Sequence, residues 1–146
     1  MICFINKIIY KMKFIIIINT YFFSIDKLMT LTLNPELILN NLIKELGSKL
    51  FFALFTSENG VVIKSYINEN EFNKAAIGVN ISQLYETAEE VIEEIGIHTP
   101  DFCIIHSDNF YVISIKLVNR IIILLTQDQV DINEVFEIIN KSTIQS

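Results

Sequence analysis

Residues 50–66, with the sequence LFFALFTSENGVVIKSY, decide the fold of this chain. Leu50–Ser57 is apolar on both faces, which is typical of a central strand that is covered above and below. Glu58-Asn59-Gly60 predicts a hairpin turn, because Asn-Gly adopts positive φ angles at little cost. Val61–Tyr66 is interrupted by Lys64, and this polarity is typical of an edge strand. The stretch therefore predicts a β-hairpin with one buried strand and one peripheral strand.

The longest helix is predicted directly after this hairpin. Asn68 and Glu71 have the spacing of a capping box, and Gly96 follows the last residue with helical periodicity. Gly78 and the Asn80–Gln83 pattern could interrupt the helix. Glutamates cover one side, which indicates a solvated face. The predicted core stripe against the sheet consists of Ile77, Ile81, Leu84, Ala88, Val91 and Ile95.

Two further helices are predicted, one before the hairpin and one near the end of the chain. Asn34 can cap a first helix that has Pro35 in its first turn and ends at Gly47. A last helix begins at a second capping-box pattern, formed by Asp131 and Glu134. Apolar residues recur at helical spacing in both segments, so each helix is expected to place one face on the sheet.

Three closely spaced strands lie between the long helix and the last one. They are Phe102–His106, Phe110–Leu117 and Ile121–Leu125, with a turn at 107–109. The element order is therefore α-β-β-α-β-β-β-α. The first and fifth strands are apolar on both faces, as expected of interior strands. The predicted fold class is α/β (α+β): a five-stranded antiparallel sheet of order 2-1-5-4-3, with helices on both faces.

Charge and cysteine content exclude several classes of protein. Residues 29–146 contain seven basic and sixteen acidic side chains, a net charge of 7 − 16 = −9, which disfavours nucleic acid as a partner. The two cysteines, Cys3 and Cys103, have no CxxC neighbour and do not form a disulfide framework. A reducing compartment is the simpler interpretation, so we expect a cytoplasmic protein.

Residues 1–28 differ abruptly in composition from residues 29–146, which are predicted to form the one folded domain. The first segment has four lysines and one aspartate and is rich in Ile, Phe, Asn and Tyr. Three interpretations stay open. Translation could start at Met29, so that the segment is spurious; the segment could be a targeting signal or membrane anchor; or it could be a genuine extra element that packs on the domain or lies on a membrane surface. It lacks a small-residue cleavage site, and its apolar run is too short to span a bilayer.

The chain resembles the Roadblock/dynein light chain family, which has a longin-like and profilin-like fold. The resemblance covers nearly all of residues 35–141. Three features carry it: the segment ALFTSENGVVIKS, the long helix ending in Glu-Glu-Ile-Gly, and the closing IIILLTQDQVDINEVFEIINK. The resemblance implies a homodimer or heterodimer in which the long helices face one another and the third strands pair edge to edge. It also implies a scaffold or regulator of small Ras-like GTPases.

The candidate functional residues are those of the expected dimer interface. Tyr85 and Ile92 lie one position beside the core stripe of the long helix, seven residues apart, where they could be core margin or dimer contact. Phe102 and Ile104 lie in the third strand, which the resemblance implies would pair with the same strand of a partner. These four residues are the predicted interface.

The sequence predicts neither catalysis nor the binding of a nucleotide, metal or cofactor. The chain has no phosphate-binding loop, so it is not expected to bind nucleotide itself. His98, Cys103 and His106 do not have zinc-site spacing, and neither a metal nor a cofactor is expected. Arg120 is the only arginine, and we interpret it as a solvated turn residue rather than as an arginine supplied to a GTPase.

The sequence thus favours a non-enzymatic dimeric scaffold that binds a small Ras-like GTPase. Two alternatives stay open at this point. One is a structural light chain or trafficking adaptor that bridges other proteins without a GTPase. The other is a small-ligand sensor, although the predicted core has almost no polar lining for a ligand. A membrane partner is expected only if residues 1–28 are a real anchor.

Overall fold

The computed structural model describes residues 33–68, 72–97 and 100–144. The expectations for residues 1–28 lie outside this range. The elements follow the expected order, with a short 3-10 turn after the first helix. They are α1 (Pro35–Leu46), the turn (Gly47–Lys49), β1 (Leu50–Ser57), β2 (Val62–Ile67), α2 (Lys74–Ile95), β3 (Phe102–Ser107), β4 (Phe110–Leu117), β5 (Arg120–Gln127) and α3 (Ile132–Ile144).

The five strands form one sheet of order β2-β1-β5-β4-β3. All four neighbouring pairs are antiparallel, so the predicted fold class and strand order are confirmed. β1 and β5 pair along nearly their whole length, with Leu54 opposite Ile123. Both strands are buried at most positions, as their two-sided apolar sequences predict. β2 and β3 are the two edges of the sheet.

Helices cover both faces of the sheet. α1 and α3 pack together on one face, where Leu42 and Ile139 belong to the same buried cluster as Phe55 and Ile122. Asn41 Nδ2 donates a hydrogen bond of 2.9 Å to Ser142 Oγ and ties the two helices to each other. α2 covers the other face and buries a smaller cluster. Within the described ranges, no helix has the length and apolar character needed to cross a membrane.

The caps of the helices agree with the sequence in two cases out of three. The Asn34 side chain accepts hydrogen bonds of 3.1 Å from the backbone N–H groups of Glu36 and Leu37. Asp131 Oδ1 likewise accepts a 2.9 Å bond from the backbone N–H of Asn133. The expected start of α2 at the Asn68 capping box is wrong, since α2 begins only at Lys74. Residues 69–71 lie outside the described ranges.

The observed cap of α2 explains the later start. Asn73 precedes the helix and accepts a 3.1 Å hydrogen bond from the backbone N–H of Ala76. Asparagine is a strong N-cap residue, so Asn73 competes with the upstream pattern that the sequence also offers. From Lys74 the helix runs without a break for 22 residues, through Gly78, to the C-cap Gly96.

Candidate interaction surface

α2 contacts the sheet mainly through its first half. Its buried residues are Gly78, Ile81, Ser82 and Tyr85. Ile81 and Tyr85 belong to one buried cluster with the β1 and β5 side chains that face α2. Those side chains are Phe52, Leu54, Ile121 and Ile123. The helix is therefore most deeply buried between Gly78 and Tyr85, and its last turns are more exposed.

Tyr85 is at the centre of the buried face, not beside it as the sequence analysis placed it. Its side chain is only 3% exposed, and its hydroxyl donates a 2.7 Å hydrogen bond to the backbone oxygen of Ser114. A second contact of 3.4 Å reaches the backbone oxygen of Asp101. Burial raises the pKa of Tyr85 far above its usual value, because the charged form would lose its hydration. Tyr85 thus joins α2 to β4 within one protomer.

The turn between β1 and β2 packs directly on α2 through two glycines. Gly60 has a φ of 81°, and a methyl group on either Gly60 or Gly78 would overlap the backbone oxygen of the other. Only glycine permits this approach of two backbones. The Ser82 hydroxyl also donates a hydrogen bond to the backbone oxygen of Glu58. Both contacts fix the turn on the helix.

Lys116 strengthens the same junction from β4. Its Nζ atom lies 3.4 Å from a carboxylate oxygen of Glu58 and also bonds the Glu89 carboxylate of α2. Partial burial lowers the pKa of Lys116, but the hydrogen bond and charge of Glu89, followed by those of Glu58, outweigh burial and raise it. One cation therefore joins β4, the β1–β2 turn and α2.

The C-terminal half of α2 exposes apolar side chains that the sequence analysis assigned to the core. Val91 is 50% exposed and Ile95 is 66% exposed, so their assignment to the buried stripe is wrong. The physical reason is that helical periodicity indicates which face of a helix is apolar but not how much of its length lies over the sheet. Leu84 and Ala88 are half-buried on the same helical face. We call Leu84, Ala88, Val91 and Ile95 the outer stripe.

The other three residues of the expected interface lie in different environments. Phe102 is buried and packs against Phe136 of α3, with ring centroids 5.0 Å apart. Ile104 is half-buried against the α1–α3 cluster, and Ile92 is half-buried on α2. β3, which carries Phe102 and Ile104, has only β4 as a neighbour in the sheet. The prediction that Tyr85, Ile92, Phe102 and Ile104 form a dimer contact stays a prediction.

Of the residues considered for metal binding, Cys103 and His106 do not converge. His98 lies outside the described ranges. Cys103 is opposite Ser114 and His106 is opposite Tyr111, so the odd spacing in β3 places their side chains on opposite faces of the sheet. In the described part of the chain, no group of three His, Cys, Asp or Glu side chains could hold a metal ion. Arg120 is half-buried at the start of β5, opposite Ser57.

Sequence reasoning missed a cavity of about 380 Å³ at one end of the sheet. Three segments that are distant in sequence meet there: the start of β1, the β3–β4 turn and the segment after β5. Aromatic and polar side chains of these segments line it. They are Phe51, Asn109, Phe110, Gln127, Asp128 and Gln129. The only sequence signal in this region was the predicted turn at 107–109. A turn does not indicate which other segments of the chain pack beside it.

The architecture is that of the Roadblock/LC7 domain. Myxococcus xanthus MglB has a TM-score of 0.66 at 10% identity, over 76% of this chain and 91% of that chain. A Roadblock/LC7 domain from Streptomyces avermitilis has a TM-score of 0.64 at 11% identity, over 74% and 90%. The gliding protein MglB from Thermus thermophilus has a TM-score of 0.63 at 9% identity, over 73% and 80%.

Sequence comparison adds nothing to this structural likeness. No family model matches the chain, and no curated protein matches it. At identities of 9% to 11%, the structural likeness establishes the fold alone. The resemblance in fold between this chain and Roadblock/LC7 structures is therefore shown.

Proposed function

We propose that the chain is a non-enzymatic dimeric scaffold or regulator that binds a small Ras-like GTPase. The observation that carries the proposal is the outer stripe of α2, in which Val91 and Ile95 are exposed beside half-buried Leu84 and Ala88. Exposed apolar side chains that are contiguous on one helical face are typical of a protein contact. β3 is also an edge of the sheet, where a strand of a partner could pair with it.

The likeness to Roadblock/LC7 domains supports the class of partner by analogy. The resemblance of the sequence to this family implies dimers in which the long helices face one another, and this arrangement would cover the outer stripe. It also implies small Ras-like GTPases as partners. The acidic surface of α2 is compatible with a basic region on such a partner. The exposed glutamates of α2 are Glu86, Glu90, Glu93 and Glu94.

The test is a calorimetric titration of the full chain against the small GTPases of its own source, each loaded with GDP or with a slowly hydrolysed GTP analogue. We expect one GTPase to bind with a preference for one nucleotide state, because the switch segments of such proteins reorder between the two states. We expect no hydrolysis of GTP by the chain alone. Binding of no GTPase in either state contradicts the proposal and favours an adaptor without a GTPase.

The variant Arg120→Ala separates binding from catalysis in the same assay. A scaffold binds through its surface, so this substitution should leave both the affinity and the hydrolysis rate of the bound GTPase unchanged. An arginine that stabilises the transition state changes the hydrolysis rate by about 10³-fold or more. A loss of that size in Arg120→Ala would contradict the scaffold role.

A further inference from the structure

Three exposed apolar side chains lie where the β1–β2 turn meets α2. Val61 is 66% exposed, and Ile63 and Val79 are each 44% exposed. A methyl group on Gly60 would lie only 2.8 Å from the Cα atom of Val79, so Val79 is a neighbour of Val61, the residue that follows Gly60. We call Val61, Ile63 and Val79 the edge patch, because β2 is an edge of the sheet.

A bulge in β2 places Ile63 on the same side of the sheet as α2. The pairing of β2 with β1 skips Ile63, between Val62 and Lys64. The Val62 side chain faces α2, since its Cγ2 atom lies 3.5 Å from the position that a methyl group on Gly78 would take. Lys64 faces the other way and forms an ion pair of 3.8 Å with α1. Successive side chains of a strand alternate, so Ile63 faces the α2 side.

The residues before α1 approach the domain beside this patch. The first turn of α1 lies next to β2, because Glu36 pairs with Lys64, the residue after Ile63. A segment before Leu33 therefore has to pass around only one strand, which occupies about 5 Å of the width of a sheet. The seven residues between residue 25 and Leu33 span up to about 25 Å when extended. The chain that precedes the linker is thus within reach of the edge patch.

We propose that residues 14–25, with the sequence FIIIINTYFFSI, cover the edge patch of the same chain. This run has no charged residue and consists mostly of large apolar side chains, which lose contact with water when they pack on other apolar groups. A patch of three side chains is small for binding between two molecules. Within one chain it suffices more easily, because a short linker gives the run a high effective concentration at the patch.

Charge complementarity supports this choice of occupant. Residues 1–28 carry a net charge of 4 − 1 = +3, and residues 29–146 carry 7 − 16 = −9. The segment is therefore attracted to the domain that follows it. Of the three interpretations of residues 1–28 that the sequence leaves open, the proposal selects the element that packs on the domain. It also gives the β2 edge a cover, which is a common way to prevent pairing with other chains.

The outer stripe is farther from the segment than the edge patch is. α2 starts beside β2, where Lys74 Nζ donates a 3.3 Å hydrogen bond to Ser65 Oγ. It reaches β4 at Glu89, which pairs with Lys116. β4 is three strands away from β2 in the sheet, and Val91 follows Glu89. The inference goes beyond the proposed function, because it concerns a contact within one chain and leaves the outer stripe to a partner.

Hydrogen–deuterium exchange of the full 146-residue chain, measured by mass spectrometry, tests the proposal. We expect the amides of residues 14–25 to exchange at least about tenfold more slowly than those of an unfolded chain. This protection should not change on dilution, since the contact lies within one molecule. Exchange at the unfolded rate would overturn the proposal. Protection that is lost on dilution would overturn it as well, because a second copy would then supply the cover.

Three identical substitutions locate the contact. Val61→Lys and Val79→Lys each place a charge under the apolar run, so each should speed exchange of residues 14–25 at least about fivefold. Both side chains are exposed in the described domain, so the circular dichroism should not change. Val91→Lys is the matched control, because Val91 is 50% exposed in the outer stripe, and it should leave this exchange unchanged. Faster exchange in Val91→Lys alone would place the run on the outer stripe and overturn the proposal. Unchanged exchange in both Val61→Lys and Val79→Lys would also overturn it.

Discussion

Tyr85 makes the stability of the protein depend on pH in the alkaline range. Its hydroxyl is buried and bonded to the backbone oxygen of Ser114, and its folded-state pKa is raised above the ordinary value of 10.0. The unfolded chain therefore loses this proton at a lower pH than the folded chain does. The stabilising effect is complete below about pH 10 and is lost as the pH rises further. Lys116, whose pKa is also raised, acts in the same direction.

We therefore expect the free energy of unfolding to fall when the pH is raised from 9 to 11. In the Tyr85→Phe variant, the free energy of unfolding should fall less steeply over the same range. At pH 7 this variant should lose only about 1 kcal/mol, the usual contribution of one hydrogen bond. Urea unfolding at a series of pH values measures both effects. Tyr111→Phe, the same change at a half-buried position, is the control and should keep the original slope. An unchanged slope in Tyr85→Phe would contradict this role for its buried hydroxyl.

At the scale of elements, the junction of α2 with the β1–β2 turn depends on Gly78. Alanine is normally favoured over glycine inside a helix by about 1 kcal/mol. Here a methyl group would overlap the backbone oxygen of Gly60, so Gly78→Ala should instead destabilise the protein by about 2 kcal/mol or more. Thermal unfolding measures the change. Asn80→Ala, at an exposed position of the same helix, is the control and should be neutral or slightly stabilising. A stabilised Gly78→Ala variant would mean that the turn does not pack on α2 in this way.

The elements themselves were predictable because their signals are local. Alternation, caps and the Asn59-Gly60 turn indicate where the strands and helices lie, apart from the start of α2, where two cap patterns compete, and two-sided apolar strands indicate which strands are interior. The buried length of α2 was not predictable, since periodicity continues to Ile95 although contact with the sheet ends earlier. The cavity beside Phe110 was not predictable either, because three segments distant in sequence form it.

At the scale of the whole molecule, we expect a second copy of the chain to cover the outer stripe. Ile95 is 66% exposed, so a charged residue there should leave the protomer folded. If two copies bury this stripe against each other, Ile95→Lys places a charge in an apolar contact. Burial of one such side chain contributes about 1.5–3 kcal/mol, so dimerisation should weaken at least about tenfold. Ile92→Lys, at a predicted interface position, should act in the same direction.

Light scattering and sedimentation over a dilution series of the full chain test this dimer. Ile63→Lys is the matched control, because Ile63 is 44% exposed on β2, at the sheet edge opposite β3. We expect the unaltered chain and Ile63→Lys to be dimers, and Ile95→Lys to dissociate on dilution while its circular dichroism stays unchanged. If the unaltered chain is monomeric throughout the dilution series, the prediction of a dimer is wrong. A dimer that Ile95→Lys leaves intact but Ile63→Lys disrupts would place the contact at β2, because only the edge that joins the copies responds to a charge.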